Sequence, residues 1–182
     1  MKSEDKAKKR PASRSLALTG LFTAMIMLLT LAKIPVPWGT GYIHLGDAAV
    51  FAACMIIGWR AVPASAIGSV LADLLNGYAV YMIPTFIIKG IMAGIVVLIT
   101  LPDKKKRMQA LAFTLASVWM QGAYLLFEFL FATTLTGGIY ASLAVPFLIG
   151  LIQSAIGVPL GIYLTHMLKK IKIEYISEKK EP

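Results

Sequence analysis

Gln121, Tyr124 and Glu128 are spaced i, i+3 and i+7, so on a helix they share one face. An amide, a phenol and a carboxylate in one stripe offer donors and acceptors at fixed places beside an aromatic ring. Such a set suits a polar heterocycle. Gln153 falls at comparable depth in the last apolar segment. Asp47, Asp73 and Lys89 also interrupt otherwise apolar stretches, and ionisable groups inside hydrocarbon are costly unless functional or paired. Two readings therefore stand together. Either these side chains contact a ligand, or Lys89 pairs with Glu128 or Asp73 while the glutamines bridge helices. Asp47 follows a loop and is expected to N-cap a helix.

Other chemistries lack their residues. There is no GxSxG, HExxH or Walker A pattern, and the lone Cys54 leaves no disulfide or Cys-based metal site. His44 and His166 fall on opposite sides of the topology below, so no metal and no cofactor are expected. An intramembrane enzyme using Asp47, Asp73 or Glu128 remains an alternative, and it requires carboxylates that face each other. A structural protein without a ligand is another.

The elements that position these residues follow from composition. Of 182 residues 58% are hydrophobic and 15% charged, with a mean hydropathy of +0.74, whereas soluble domains carry about a quarter charged residues. The net charge of +9 is clustered: six cations precede residue 15, four lie in Asp103–Arg107 and five in Lys169–Lys180. Basic clusters between apolar segments read as an integral membrane protein, not a nucleic-acid binder. The apolar segments are Ser15–Ala32, Leu45–Gly58, Pro63–Leu75, Pro84–Leu101, Gln109–Leu135 and Leu143–Leu168. The first also resembles a signal peptide, but further apolar segments follow it at once. A bilayer core of roughly 30 Å needs about 20 helical residues, so the second and third are short and a five-span or re-entrant arrangement is the alternative.

Cations flanking spans stay cytoplasmic. With the N-tail, Lys104–Arg107 and the C-tail inside, six transmembrane helices with both termini cytoplasmic are expected. The chain divides into a basic tail (1–14), a membrane domain (15–168) and a charged tail (169–182). Arg60 then falls inside, and the segments Lys33–His44, Asn76–Ile83 and Thr136–Ser142 face out as loops. Their Trp38, Tyr42, Tyr78, Tyr81 and Tyr140 are either interfacial anchors or ligand contacts. Asp47, Asp73, Lys89 and Glu128 all lie in the outer half, with His44 and Asn76 just above them. Small-xxx-small spacings, Gly20/Ala24, Gly90/Gly94 and Gly157/Gly161, permit close helix approach.

The segments Gly41-Tyr42-Ile43-His44-Leu45-Gly46-Asp47-Ala48, Ala72-Asp73-Leu74-Leu75-Asn76-Gly77-Tyr78 and Thr85-Phe86-Ile87-Ile88-Lys89-Gly90 resemble the S components of energy-coupling factor (ECF) vitamin transporters. The similarity spans Leu16–Leu168 and leans to the branch with hydroxymethylpyrimidine, pyridoxine and riboflavin-like members. The resemblance implies a six-helix substrate-binding protein of the bacterial cytoplasmic membrane, not an enzyme. It implies capture of a small vitamin or precursor at the outer face, of the hydroxymethylpyrimidine or pyridoxine type, with riboflavin or another vitamin as the alternative. It also implies a transmembrane coupling subunit and two cytoplasmic ATPases as partners. The first helix's family pattern Ala-xxx-Ala, which docks the coupling subunit, falls on Gly20 and Ala24. The expected substrate-binding residues are Trp38, Tyr42, His44, Asp73, Asn76, Tyr78, Lys89, Gln121, Tyr124, Glu128 and Gln153.

Overall fold

A computed structural model describes residues 12–35, 42–135 and 139–178. Six α-helices occur among them: α1 (Ala12–Leu31), α2 (Gly46–Ile57), α3 (Ala61–Leu75), α4 (Met82–Thr100), α5 (Lys106–Leu135) and α6 (Ile139–Glu178). Between α1 and α2, the expected loop instead holds a two-stranded antiparallel ribbon. Its strands β1 (Lys33–Pro35) and β2 (Tyr42–His44) pair Lys33 with His44 and Ile34 with Ile43. Short 3₁₀ turns, Gly58–Arg60 and Ala79–Tyr81, lead into α3 and α4.

α2 is the axis of the packing. Every residue from Gly46 to Met55 is buried, because alanines 48, 49, 52 and 53 let α1, α4 and α6 approach its backbone. Phe51 projects from it to stack on Phe113 of α5, with ring centroids 4.3 Å apart. Gly161 of α6 lies directly behind that ring. A Cβ there would stand 2.8 Å from Phe51 Cδ2. The Gly157/Gly161 spacing is thus spent inside the bundle. Gly94 of α4, by contrast, has nothing within 4 Å of a built Cβ.

Close approaches on α1 fix how α2 and α3 run. Gly46 abuts Thr30, and Gly68 abuts Thr23 and Ile26. Thr23 and Thr30 are about 10 Å apart along α1, whereas Gly46 and Gly68 would be about 33 Å apart on one straight helix. The chain therefore doubles back at Gly58–Arg60, where Gly58 takes φ +60°, a conformation that favours glycine.

Ala79–Thr100, Lys106–Phe131 and Leu143–Ile171 are each long and apolar enough to cross a membrane, and Gly46–Leu75 is comparably apolar but is folded back on itself at Gly58–Arg60 into the shorter α2 and α3. Ser15–Leu31 is apolar but shorter. The exposed Leu, Ile, Phe and Val side chains along α3 to α6 suit hydrocarbon surroundings, so the protein is a multi-pass membrane protein. α1 and α5 each start three residues earlier than expected, at Ala12 and Lys106, and both ends of α6 move. α6 starts at Ile139, which makes the end of the expected Thr136–Ser142 loop helical, and it continues to Glu178 through much of the expected tail. No Gly or Pro follows Gly161 before Pro182, so the sequence offers no strong helix breaker there.

Candidate functional site

At the ribbon end of the bundle, a cavity of about 270 Å³ lies between α3, α4, α5 and α6, with Thr30 of α1 and His44 of β2 at its edge. Local turn chemistry builds one wall. α3 ends in a Schellman motif: Asn76 is the C-cap, Gly77 takes φ +81°, and the Tyr78 N–H donates to Asp73 O at 2.8 Å. The turn brings Tyr78 back toward Asp73, and both side chains line the cavity. Tyr81, one 3₁₀ turn on, packs edge-on against Tyr78 with centroids 6.1 Å apart and donates its hydroxyl to Glu128 of α5. Beneath it, the Thr85 and Tyr124 hydroxyls are 3.0 Å apart.

A charged network lies below. Lys89 Nζ donates to Asp47 Oδ1 in a buried ion pair, and Gln153 Nε2 donates to Asp47 Oδ2 at 2.5 Å. The same Gln153 nitrogen is 3.3 Å from His44 Nε2, while the Gly46 N–H donates to His44 Nδ1 at 3.1 Å. Lys89 also reaches Met120 Sδ at 3.0 Å and lies 5.9 Å from the Tyr124 ring centre. Asp47 thus ties α2 to α4 and α6 with both oxygens occupied. The expectation that it caps α2 is overturned: the cap position is Leu45, without a side-chain hydrogen bond. Lys89 likewise pairs with neither Glu128 nor Asp73.

The profile of the family described as "ECF-type riboflavin transporter, S component" matches residues 12–170. The chain belongs to this family. Its fold agrees: the S component of a bacterial ECF transporter aligns with a TM-score of 0.73, covering 87% of this chain and 97% of that one at 15% identity. No curated protein matches. The family consists of transporter subunits, not enzymes.

In this S component the cavity gathers eight of the eleven residues expected to bind substrate, together with Tyr81, which the sequence offered as an anchor or a ligand contact. His44, Asp73, Tyr78 and Lys89 line it with Gln121, Tyr124, Glu128 and Gln153. The Gln121–Tyr124–Glu128 stripe does face one space. Gln121 is also a helix bridge, since its Nε2 donates to Phe147 O of α6 at 2.8 Å and its side chain packs on Gly150. Asn76 is not among the lining residues; its role is the α3 cap. Trp38 lies outside the described residues, and Tyr42 supplies backbone to β2. Sequence reasoning missed Thr30, Thr85 and Met120 as lining residues and set Asp47 aside as a cap. Thr85 sits one turn before Lys89, a spacing that signals a shared face. No local signal marks Thr30, because Gly46 brings it there from another helix.

His44 makes a testable acid sensitivity. Burial pushes its imidazole down from 6.5 to about 4, with Asp47 opposing the drop and Lys89 adding to it. The folded state then holds the ring neutral while an unfolded chain takes up a proton. Stability is full above pH 6.5 and declines as the pH falls toward 4. Protonation also removes the Nδ1 lone pair that accepts the Gly46 N–H. The melting temperature in detergent should drop across this window, and His44→Gln should flatten part of the drop. An unchanged slope in the variant would assign the titration to other groups.

Proposed function

We propose that the chain captures a small vitamin at the outer face of the bacterial cytoplasmic membrane, in the cavity between α3 and α6. Delivery inward requires a transmembrane coupling subunit and two cytoplasmic ATPases. The observation that carries this reading is a polar cavity with both signs of charge, placed at one end of an apolar helical bundle of the ECF family. Six membrane crossings with both termini inside put that cavity outside, and they put Arg60, Lys104–Arg107 and the C-terminal lysines inside. The basic tail (1–14) and charged tail (169–182) then flank the membrane domain (15–168). Within the cavity, His44, Asp73, Tyr78, Lys89, Gln121, Tyr124, Glu128 and Gln153 recognise or frame the ligand. Trp38 and Tyr42 complete the proposed set of ligand contacts.

Riboflavin leads as the substrate because the matching family is described by it. A pyridoxine or hydroxymethylpyrimidine ligand is the second reading. It is favoured by the cavity volume of about 270 Å³, just below the usual range of ligand pockets (roughly 300–1,000 Å³). Calorimetric titration of the purified protein with riboflavin, pyridoxine and hydroxymethylpyrimidine tests capture and ranks the three. Absence of binding to all would sink the vitamin assignment.

Coupling has its own test. Gly20 and Ala24 are exposed on α1, and a Cβ built at Gly20 meets nothing within 4 Å, so this small face is open to a partner helix. Gly20→Val or Ala24→Leu should therefore lower uptake in cells at least severalfold while ligand affinity of the isolated protein is unchanged. Wild-type uptake by both variants would place the docking face elsewhere.

A further inference from the structure

The charges around the cavity do not balance. Asp47 and Lys89 cancel each other in the network below. Among the described lining residues no other Lys or Arg occurs, yet Asp73 and Glu128 both line the space. His44 adds no charge at neutral pH, since burial holds its imidazole down at about 4. Glu128 receives the Tyr81 hydroxyl. Asp73 is only partly satisfied: it is 7% exposed and Thr85 hydrogen-bonds to its carboxylate, but its Oδ2 is buried without a hydrogen-bond partner. A buried acceptor of this kind is costly until a donor arrives. Around it stand the Tyr78, Tyr81 and Tyr124 rings; Lys89 lies 5.9 Å from the Tyr124 ring centre, and Lys33, which is not a lining residue, lies 5.6 Å from that of Tyr78.

We propose that Asp73 reads an N–H donor on the ligand, and that the cavity therefore selects the uncharged or cationic form of a heterocycle and rejects its phosphate ester. This deepens the capture reading above and rests on it. Phosphate recognition relies on uncommitted Arg or Lys donors or on a helix N-terminus presenting backbone N–H groups. Here the lining cation is held by Asp47, and a phosphate would enter beside two carboxylates in a low-dielectric space. Phosphorylated vitamins outside the cell would then require prior hydrolysis to be captured.

The test compares each parent with its ester on the purified full-length protein: riboflavin against riboflavin 5′-phosphate, and pyridoxine against pyridoxine 5′-phosphate. The ester should bind at least 100-fold more weakly than the parent that binds. Asp73→Asn keeps the side chain's shape and removes its charge. It should weaken parent binding about tenfold or more and narrow the gap between parent and ester. Glu128→Gln should narrow the gap too, and it decides the matter if the Asp73 variant does not fold. An ester that binds as tightly as its parent overturns the proposal while leaving vitamin capture standing. So do variants that leave both affinity and gap unchanged. If neither parent binds the wild-type protein, the capture reading fails and the proposal falls with it.

Discussion

Lys89→Met is expected to cost the protein about 3–5 kcal/mol of stability, the range for breaking a buried ion pair by removing one partner. The lysine is 3% exposed and donates to Asp47, itself 3% exposed. Methionine fills a similar volume, so the loss comes from the carboxylate left behind. Asp47 would keep only the amide of Gln153 as a hydrogen-bond partner among the described contacts. The double variant Lys89→Met/Asp47→Asn should regain part of the loss, because it removes the unpaired buried charge that makes the single variant costly. Chromatographic monodispersity and melting temperature in detergent read the cycle. Loss of ligand affinity in the single variant would follow from the disturbed floor of the cavity. A monodisperse Lys89→Met protein with wild-type melting that fails to bind would reverse the assignment, making Lys89 a direct ligand contact and not half of a structural pair.

That pairing also marks where the sequence stops being legible. The apolar segments could be read from their lengths, and the Gln121–Tyr124–Glu128 stripe from helical periodicity, because both depend on neighbours a few residues away. The partner of Lys89 depends on which helix stands beside α4, and Asp47 is 42 residues distant. Its position after a loop, which suggests a cap, gives no hint of a role across the bundle. The same limit applies to Gln153, whose two contacts, Asp47 and His44, are more than 100 residues away. The β1–β2 ribbon was hidden for another reason. Lys33–Pro35 and Tyr42–His44 are three-residue strands, too short for alternation to register. Asn76 shows the opposite case: polar and near the cavity level, it reads as a contact, but the adjacent Gly77 makes the pair a helix cap. Of the three small-residue spacings, α6 packs tightly against Phe51, α1 remains exposed and α4 has room to spare. Nothing in the motif itself separates these fates.

Gly68→Ala should lower stability by about 3 kcal/mol, the upper part of the usual overpacking range, although intrinsic propensity argues for the opposite sign. In a helix interior Ala is favoured over Gly by roughly 0.8–1 kcal/mol, so an unobstructed site gains from this change. At Gly68 the added Cβ would lie 2.6 Å from Thr23 O and 3.2 Å from both Cβ and Cγ2 of Ile26. The first obstacle is backbone and cannot rotate away. The second belongs to a fully buried side chain on the same helix, so α1 as a whole must move off α3. Gly94→Ala is the matched control, since nothing lies within 4 Å of its built Cβ; propensity alone should raise its melting temperature. Opposite signs for the two substitutions are the expected result. Displacing α1 should also reach function, because the helix carries the exposed Gly20 and Ala24 at one level and Thr30 beside the cavity at another. Gly68→Ala should thus reduce uptake and ligand affinity together, unlike Gly20→Val, which spares affinity. Stabilisation of Gly68→Ala to the extent seen for Gly94→Ala would mean that α1 is not held against α3 at this contact, and the α1-centred account of both cavity and docking face would fail with it.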